Sequence, residues 1–310
     1  MRRSRVLVSI VVLSSFPAHA LADDAAALPS VAESTPLPSE PELSRPPMRD
    51  LDPVEAVVSG VISAAVVGAT FLPSPTRETP QWRGGIVFDD PVRDALHLRA
   101  PEDRRLASTL SDAIVGTLVV APILVDAALM AGFVRGDPEL MTRMLLMNLQ
   151  AHAISFGLTT IFKKVVGRER PNARACREDP ERQSSDPLCE SPPEHTASFF
   201  SGHASLAFTS AALMCVQHAE IGLFGQEGDA VMCATGLALA TTVGLLRIAA
   251  DKHYASDVIV GALVGGLTGW LVPWLFHFDV ADTVGIDGAS ATVAPMIDER
   301  QIGMQLFGVF

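Results

Sequence analysis

The chain has 310 residues, and its 35 acidic side chains outnumber its 23 lysines and arginines. The formal net charge of −12 argues against a nucleic-acid partner, because binding to a phosphate backbone needs a basic surface. Hydrophobic residues make up 48% of the sequence, and the mean hydropathy of +0.31 is high for a water-soluble domain.

The first 22 residues have the pattern of a secretory signal peptide. Three arginines lie within the first five residues, an apolar run covers 6–16, and Ala20 and Ala22 provide a small-x-small cleavage site. The apolar run is too short to span a bilayer comfortably. An uncleaved anchor is the alternative, and either interpretation sends the chain to the export machinery.

Residues 23–50 predict a disordered linker. Six prolines lie there among serine, glutamate and alanine, with almost no large apolar side chains. Such a segment cannot bury enough surface to fold, and we assign no chemistry to it.

The helical domain predicted for 51–278 contains six apolar stretches of about membrane-spanning length. They cover residues 54–72, 113–134, 141–162, 203–222, 231–250 and 258–278. We predict an all-α, six-helix bundle of the membrane type. A soluble bundle of buried helices is the alternative, because polar side chains interrupt three of the stretches. Two of these polar residues, Asp126 and His152, are expected to form hydrogen bonds between helices.

Two local patterns indicate how helices pack. Gly261, Gly265 and Gly269 are four residues apart, a spacing that lets two helices approach closely. Residues 79–105 are compatible with a short amphipathic helix lying on the surface of the bundle or membrane.

Four cysteines are present, and they lack the spacing of a zinc site. Cys176 and Cys189 lie 13 residues apart in the polar loop 164–200, where they can form a disulfide if the loop is outside the cell. Two free thiols are the alternative. Cys215 and Cys233 lie in apolar stretches and are expected to be small core residues.

Three residues near the C-terminal end of the domain have side chains suited to catalysis or anion binding: Arg247, His253 and Asp257. On a helix, His253 and Asp257 would share one face, so the carboxylate could accept the imidazole N–H. Such a histidine can act as a base or a nucleophile, and Arg247 offers a planar fork suited to phosphate. A polar helix end with one salt bridge is the simpler interpretation of this triplet alone.

Two earlier stretches add anion-binding groups. Lys163 and Arg170 are seven residues apart, so they share a face if the helix continues to Pro171, which we expect to end it. The neighbouring Lys164, Arg168 and Arg174 are interpreted as charges at the membrane edge.

The second of these stretches, Ser201-Gly202-His203, opens the fourth apolar stretch. A helix start there would present free N–H groups to an anion. The serine hydroxyl could cap the helix or bind an oxygen of the anion. Taken alone, each stretch is also explained without function, as a basic membrane edge or an ordinary capped helix.

Together the three stretches resemble the signature of the type 2 phosphatidic acid phosphatase (PAP2) superfamily, which includes vanadium haloperoxidases and bacterial acid phosphatases. The family pattern is K-x6-R-P, then P-S-G-H, then S-R-x5-H-x3-D, and nine of its eleven specified positions match in order. Phe200 replaces the usual proline and Leu246 the usual serine. The resemblance covers about 105–278.

The resemblance implies a role for each matching residue. His253 attacks phosphorus and becomes a phosphohistidine, Asp257 orients it, and His203 protonates the leaving oxygen and then helps to activate water. Lys163, Arg170, Arg247, Ser201 and the Gly202 amide hold the phosphoryl oxygens. Fixed donors of this kind stabilise the charge of the transition state without a metal, so we predict no metal site and no cofactor.

The function predicted on this basis is hydrolysis of a lipid phosphomonoester or diphosphate, such as phosphatidate, phosphatidylglycerophosphate or an isoprenyl diphosphate. Three alternatives stay open: a soluble periplasmic acid phosphatase, a haloperoxidase that holds vanadate on His253, and a non-catalytic envelope protein that binds lipid phosphate. The expected partners are the lipid substrate and the membrane, and the oligomeric state is left open.

The expected location is the inner membrane of a bacterial-type envelope, with the active site facing the periplasm. A soluble periplasmic location is the alternative. Topology conflicts with the outward-facing site: if a cleaved signal precedes six spans, the third span delivers Lys163 to the cytoplasm. Either 54–72 does not cross the membrane, or the apparent signal does not initiate export.

The C-terminal tail, 279–310, differs in character from the helical domain. Residues 291–297 and 301–310 favour strands, and Asp298-Glu299-Arg300 favours a turn. A small β-hairpin packed on the bundle is expected.

Overall fold

The structure, a computed structural model, describes residues 48–49, 53–70, 79–186, 189, 195–278, 290–298 and 301–309. The predicted signal peptide and all but two residues of the predicted linker lie outside the described residues.

The described part is a helical bundle, as predicted. The helices are α1 (Pro53–Thr70), α2 (Asp89–Leu96), α3 (Pro101–Ala121) with a π-helical continuation (Pro122–Val134), α4 (Pro138–Val166), α5 (Pro171–Glu178), α6 (Pro180–Ser185), α7 (Gly202–Ile221), α8 (Gln226–Ala249) and α9 (Ala255–Phe276). Each of the six predicted apolar stretches corresponds to one long helix, and α2, α5 and α6 are short helices between them.

The six long helices alternate in direction, so the bundle has two distinct ends. Helix α1 runs parallel to α4: Gln150 donates to the Ser59 hydroxyl (2.8 Å), and a Cβ on Gly157, further along α4, would lie 3.5 Å from Val66. The N–H of Arg49 donates to the carbonyl of His277, just past the end of α9 (2.9 Å). Residues 48–49 and 277–278 therefore share one end, and the start of α9 lies at the other.

Helix α7 is the central helix, and glycines on α9 bring its backbone unusually close. A Cβ added at Gly261, Gly265 or Gly269 would lie 2.5, 2.0 or 2.3 Å from a backbone carbonyl oxygen of α7. No side chain fits at such distances, so the close approach predicted from the glycine spacing is confirmed. The contact fixes the start of α7 against the start of α9.

Four of the described helical segments are long and apolar enough to cross a membrane: Pro101–Val134, Pro138–Val166, Gln226–Ala249 and Ala255–Phe276. Within the buried part of the bundle, His152 contacts the Ser210 hydroxyl (2.9 Å) and Asp126 lies 3.4 Å from His218. The predicted interhelical hydrogen bond of His152 is therefore present, whereas Asp126 lies at ion-pair distance from His218 without a hydrogen bond.

The prediction for Cys215 and Cys233 was wrong. The two cysteines form a disulfide between α7 and α8, with their Cα atoms 4.4 Å apart. Both stretches are apolar, so their sequences alone gave no sign that the antiparallel helices would place these two thiols opposite each other.

The tail contains two strands where the sequence predicted them. The backbones of β1 (Ser290–Asp298) and β2 (Gln301–Val309) pair antiparallel, with Ser290 opposite Val309 and Asp298 opposite Gln301.

Candidate active site

The three predicted motifs meet at the end of the bundle where α4 finishes and α7 and α9 begin. A Cβ on Gly202 would lie 3.5 Å from the Lys163 ammonium nitrogen, so the lysine reaches the start of α7. The Ser201 N–H donates to the backbone carbonyl of Asp257 (3.0 Å), which joins the starts of α7 and α9. The predicted site residues thus belong to one site.

Lys163 and Arg170, the basic residues of the first motif, do not lie on one helix face, because a turn separates them. Helix α4 ends at Val166, and Gly167 adopts a left-handed conformation (φ 54°) that reverses the chain. Arg170 is then extended, and Pro171 begins α5. The prediction that Pro171 ends a helix was wrong, because proline fits the first helical position, where its missing N–H costs nothing.

The second motif forms the capped helix start that was predicted. The Ser201 hydroxyl accepts the N–H of Ala204 (3.4 Å) at the beginning of α7. Phe200, in the position of the family proline, is fully buried, and its ring lies 5.5 Å from that of Phe162. Side-chain packing therefore holds this turn.

His253 is oriented by a backbone carbonyl. It lies in the loop before α9, and its Nδ1–H donates to the carbonyl of Ser198 (2.8 Å). Nε2 of the neutral ring therefore carries the lone pair, and this buried atom has no hydrogen-bond partner among the described residues. Burial, followed by the charges of Arg170, Arg247 and Lys163, holds the pKa of His253 well below 6.5. Both properties suit a nucleophile.

The predicted hydrogen bond between Asp257 and His253 was wrong, although the two side chains lie within ion-pair distance. Helix α9 begins at Ala255, so the two residues do not share a helix face, and Asp257 Oδ2 lies 3.8 Å from His253 Nδ1. That oxygen accepts the Ser198 hydroxyl (2.6 Å) and the Tyr254 N–H (3.0 Å) instead. Asp257 thus positions His253 through Ser198, a residue that sequence reasoning missed although it lies three positions before Ser201.

Arg168 is a buried residue that supports the site. Its interpretation as a membrane-edge charge was therefore wrong. Its side chain is fully buried between the rings of Trp82 and Tyr254, whose centroids lie 4.0 and 4.2 Å from the guanidinium carbon. It donates to Asp257 Oδ1 (2.5 Å) and to Asp89 Oδ2 (2.8 Å). Arg168 therefore fixes the carboxylate that fixes Ser198.

Helix α2 is a short helix within the predicted stretch 79–105, and its buried side supports the site. Asp89 is fully buried and accepts both the N–H and the hydroxyl of Ser256 (2.8 and 2.7 Å). Arg93 pairs with Asp251 through two hydrogen bonds (2.6 and 2.8 Å). Burial opposes ionisation of Asp251, but Arg93 and Arg182 lower its pKa below the usual value. These pairs hold the loop that carries His253.

Asp251 also shows why this loop turns sharply. Its φ of 59° lies in the left-handed region, which aspartate tolerates better than most residues. Its carbonyl accepts the N–H of Asn172 (3.0 Å), which ties the loop to α5.

Helix α3 contributes polar groups that the sequence analysis did not identify. Arg247 donates to the hydroxyls of Ser108 and Ser111 (3.3 and 3.1 Å) and lies 3.2 Å from Asp112 Oδ1. The Nε2–H of His203 donates to the same oxygen of Asp112 (2.7 Å). A carboxylate at the edge of an apolar stretch was the only signal in the sequence.

Cations surround both imidazoles. Burial lowers the pKa of His203 to about 2, together with the charges of Arg247, His253, Lys163 and Arg170. The same three basic side chains act on His253. This concentration of positive charge is suited to a phosphate dianion.

The predicted pair Cys176–Cys189 forms a disulfide at this end of the molecule, with the Cα atoms 5.7 Å apart. Within the described ranges, no three His, Cys, Asp or Glu side chains are grouped so that they could hold a metal ion.

Comparison with known proteins agrees with the motifs. The family model of the PAP2 superfamily matches residues 145–280. This matched segment contains all three motifs, so the predicted resemblance to the PAP2 superfamily is confirmed. No curated protein matches the sequence. Among solved structures, the chain is similar to a transmembrane PAP2-type phosphatidylglycerolphosphate phosphatase from Bacillus subtilis, at 17% identity and a TM-score of 0.46, over 76% of this chain and 98% of that one.

Proposed function

We propose that the protein is a phosphatase that removes phosphate from a lipid phosphomonoester or diphosphate through a phosphohistidine. The main observation in support is the position of His253 Nε2. This buried nitrogen has no hydrogen-bond partner among the described residues and is surrounded by three cations. Such a site attracts a phosphoryl group and offers it a nucleophile.

The proposed reaction has two steps. His253 Nε2 attacks phosphorus, and the P–O bond to the leaving group breaks while His203, as imidazolium, gives its proton to the leaving oxygen. Water then attacks the phosphohistidine, His203 takes the water proton, and the N–P bond breaks to release phosphate. Lys163, Arg170 and Arg247 stabilise the charge on the three equatorial oxygens in both steps. We propose that turnover needs no metal.

A lipid substrate fits the setting of the site. Four membrane-length helices meet the site or start beside it, and their outward faces carry exposed apolar side chains such as Leu263 (61% exposed) and Leu267 (56%). A substrate anchored in a bilayer would reach the cationic end at the level of the headgroups. The lipid itself is left to experiment.

We propose a bacterial-type inner membrane as the location, with the site facing the periplasm. The Cys176–Cys189 disulfide at the active-site end supports an oxidising side. Because residues 48–49 lie at the opposite end, this orientation places them in the cytoplasm if all six helices cross. Segment 1–22 would then not be translocated ahead of α1. Labelling of cysteines introduced at positions 49 and 99, with a membrane-impermeant maleimide on intact cells, tests the orientation: position 99 alone should react.

The central test is phosphate release in detergent, in the presence of EDTA, from phosphatidate, phosphatidylglycerophosphate, undecaprenyl diphosphate and p-nitrophenyl phosphate. We expect release from at least one lipid and none from His253→Ala. His277→Ala is the matched control, because that histidine lies at the opposite end. Loss of activity in EDTA that returns with a divalent metal would contradict the metal-independent mechanism.

Other outcomes identify the alternatives. Preference for the soluble ester would indicate an acid phosphatase. Vanadate-dependent halide oxidation without phosphate release would indicate a haloperoxidase. Binding of lipid phosphate that survives in His253→Ala, without hydrolysis by the unmodified protein, would indicate a binding protein.

A further inference from the structure

Asp112 is a carboxylate that lies among the cations around His203. It lies on α3, outside the segment that matches the family model, and its side chain is 56% exposed. One of its oxygens, Oδ1, contacts two members of the proposed machinery: Nε2 of His203 (2.7 Å) and Nη1 of Arg247 (3.2 Å).

A negative charge at this place needs an explanation, because it repels the phosphate that the neighbouring cations attract. Arg247 does not require Asp112 as its only partner, since Ser108 and Ser111 also accept its hydrogen bonds. His203 has no other hydrogen-bond partner on α3. The hydrogen bond to His203 is therefore the contact that best explains why a carboxylate lies here.

His203 requires help to act as an acid. In the site without substrate, burial and the charges of Arg247, His253, Lys163 and Arg170 lower its pKa to about 2. A neutral imidazole cannot give a proton to a leaving oxygen and remain neutral, so the ring must become an imidazolium once substrate is bound. Among the charged groups facing His203, Asp112 is the one that favours this form and holds the ring in place.

We propose that Asp112 is a positioning residue for the proton donor, which orients His203 and stabilises its imidazolium when a bound phosphoryl group neutralises the cations. This inference rests on the proposed phosphatase function. In the first step the imidazolium proton passes to the leaving oxygen as the P–O bond breaks, and Asp112 then holds a neutral ring. In the second step the ring regains a proton from the attacking water.

The test uses the dependence of general-acid catalysis on the leaving group. The diacylglycerol of phosphatidate would leave as a basic alkoxide and needs the proton, whereas p-nitrophenolate leaves well without it. The values of kcat/KM, which report steps up to formation of the phosphohistidine, are measured for phosphatidate and p-nitrophenyl phosphate. Asp112→Asn keeps the shape and removes the charge. Asp103→Asn, an exposed acid on the same helix, is the matched control.

We expect Asp112→Asn to lower kcat/KM for phosphatidate about tenfold or more, within the range of general-acid effects, and to change p-nitrophenyl phosphate far less. Asp103→Asn should match the unmodified protein for both substrates. An equal loss for both esters, with a lower melting temperature, would show a merely structural role and overturn the proposal.

A second possible result would also contradict the proposed role of Asp112. If Asp112→Asn strengthens inhibition by inorganic phosphate and raises kcat/KM for both esters, the carboxylate competes with phosphate and does not assist the acid. The unmodified protein is measured first. If it releases phosphate from none of the four substrates of the central test, the proposed function fails and the role of Asp112 fails with it, which separates that case from the two others.

Discussion

The two ends of α7 each carry a histidine, and their surroundings are electrically opposite. His203, in the first turn, faces Lys163, Arg170 and Arg247, and its pKa is lowered to about 2 by burial and these charges. His218, in the last turn, lies between Asp229 (2.7 Å) and Asp126 (3.4 Å). Burial opposes its charge, but the two carboxylates raise its pKa above the usual value.

The difference in charge around the two histidines fits the proposed catalytic role of the first end and a stabilising role of the second end. At the first end, three basic side chains lie around His203, and among the described residues Asp112 is the acid in hydrogen-bond contact with it. At the second end, Asp229 also accepts the N–H groups of Leu223 and Phe224 (3.0 Å each), so the pair closes the turn after α7. The same residue type on one helix is thus a proposed proton donor at one end and a stabilising residue at the other, according to the charges that tertiary structure places around it.

Exchanging each histidine for glutamine tests this division most directly. His203→Gln should reduce phosphate release about 10²- to 10⁴-fold, the usual range for a general acid, with little change in melting temperature. His218→Gln should lower the free energy of unfolding by about 1–3 kcal/mol, the cost of leaving a buried acceptor unsatisfied, and leave activity unchanged below the melting transition. Comparable activity losses in both variants would remove the distinction between the two ends.

The glycine contacts between α7 and α9 connect the ends, so breaking them should affect both. In Gly265→Ala the new methyl group would overlap a backbone carbonyl of α7, and overpacking of this kind costs about 1–3 kcal/mol or more. We expect a lower melting temperature and reduced phosphate release together. Gly266→Ala, at a position with no neighbour within 4 Å, is the control and should resemble the unmodified protein.

Arg168 tests whether the reacting end depends on its buried support. Lysine cannot reproduce the planar fork that binds Asp89 and Asp257 together, so Arg168→Lys should lower kcat about 10- to 100-fold, as loss of an orienting partner does. Arg177→Lys is the control, because that arginine is 45% exposed and pairs with Glu169. Unchanged kinetics in Arg168→Lys would show that Ser198 and Asp257 hold His253 without it.

The smallest expected effect is the pH dependence of stability at the second end. Because the folded pKa of His218 is raised, its stabilising contribution is complete below the unfolded value of 6.5 and is lost as pH rises through the folded pKa. Melting temperatures measured from pH 5 to 9 should therefore fall more for the unmodified protein than for His218→Gln. Parallel curves would show that the histidine is neutral in the folded protein.

Sequence patterns were sufficient to predict the long helices and the set of residues that lie together in the candidate site. Apolar stretches of spanning length predicted six long helices, and four-residue glycine spacing predicted the close contact of α9 with α7. The spacing of Lys163, Arg170, Ser201, Gly202, His203, Arg247, His253 and Asp257 predicted one site, and the structure brings these residues to one end of the bundle. These features depend on local periodicity or on motifs that can be read along the chain.

The contacts that hold the candidate site in place could not be predicted from local sequence patterns. Arg168 resembled a surface charge, Asp112 a helix boundary, and Cys215 and Cys233 ordinary core residues. Each acquires its role from partners on another helix: Asp89 and Asp257 for Arg168, and His203 and Arg247 for Asp112. Which helices form and which side chains are chemically able to react can be predicted along the chain, because both depend on nearby residues. Which charges meet depends on the three-dimensional fold, because the energy of a charge depends on burial and on neighbours distant in sequence.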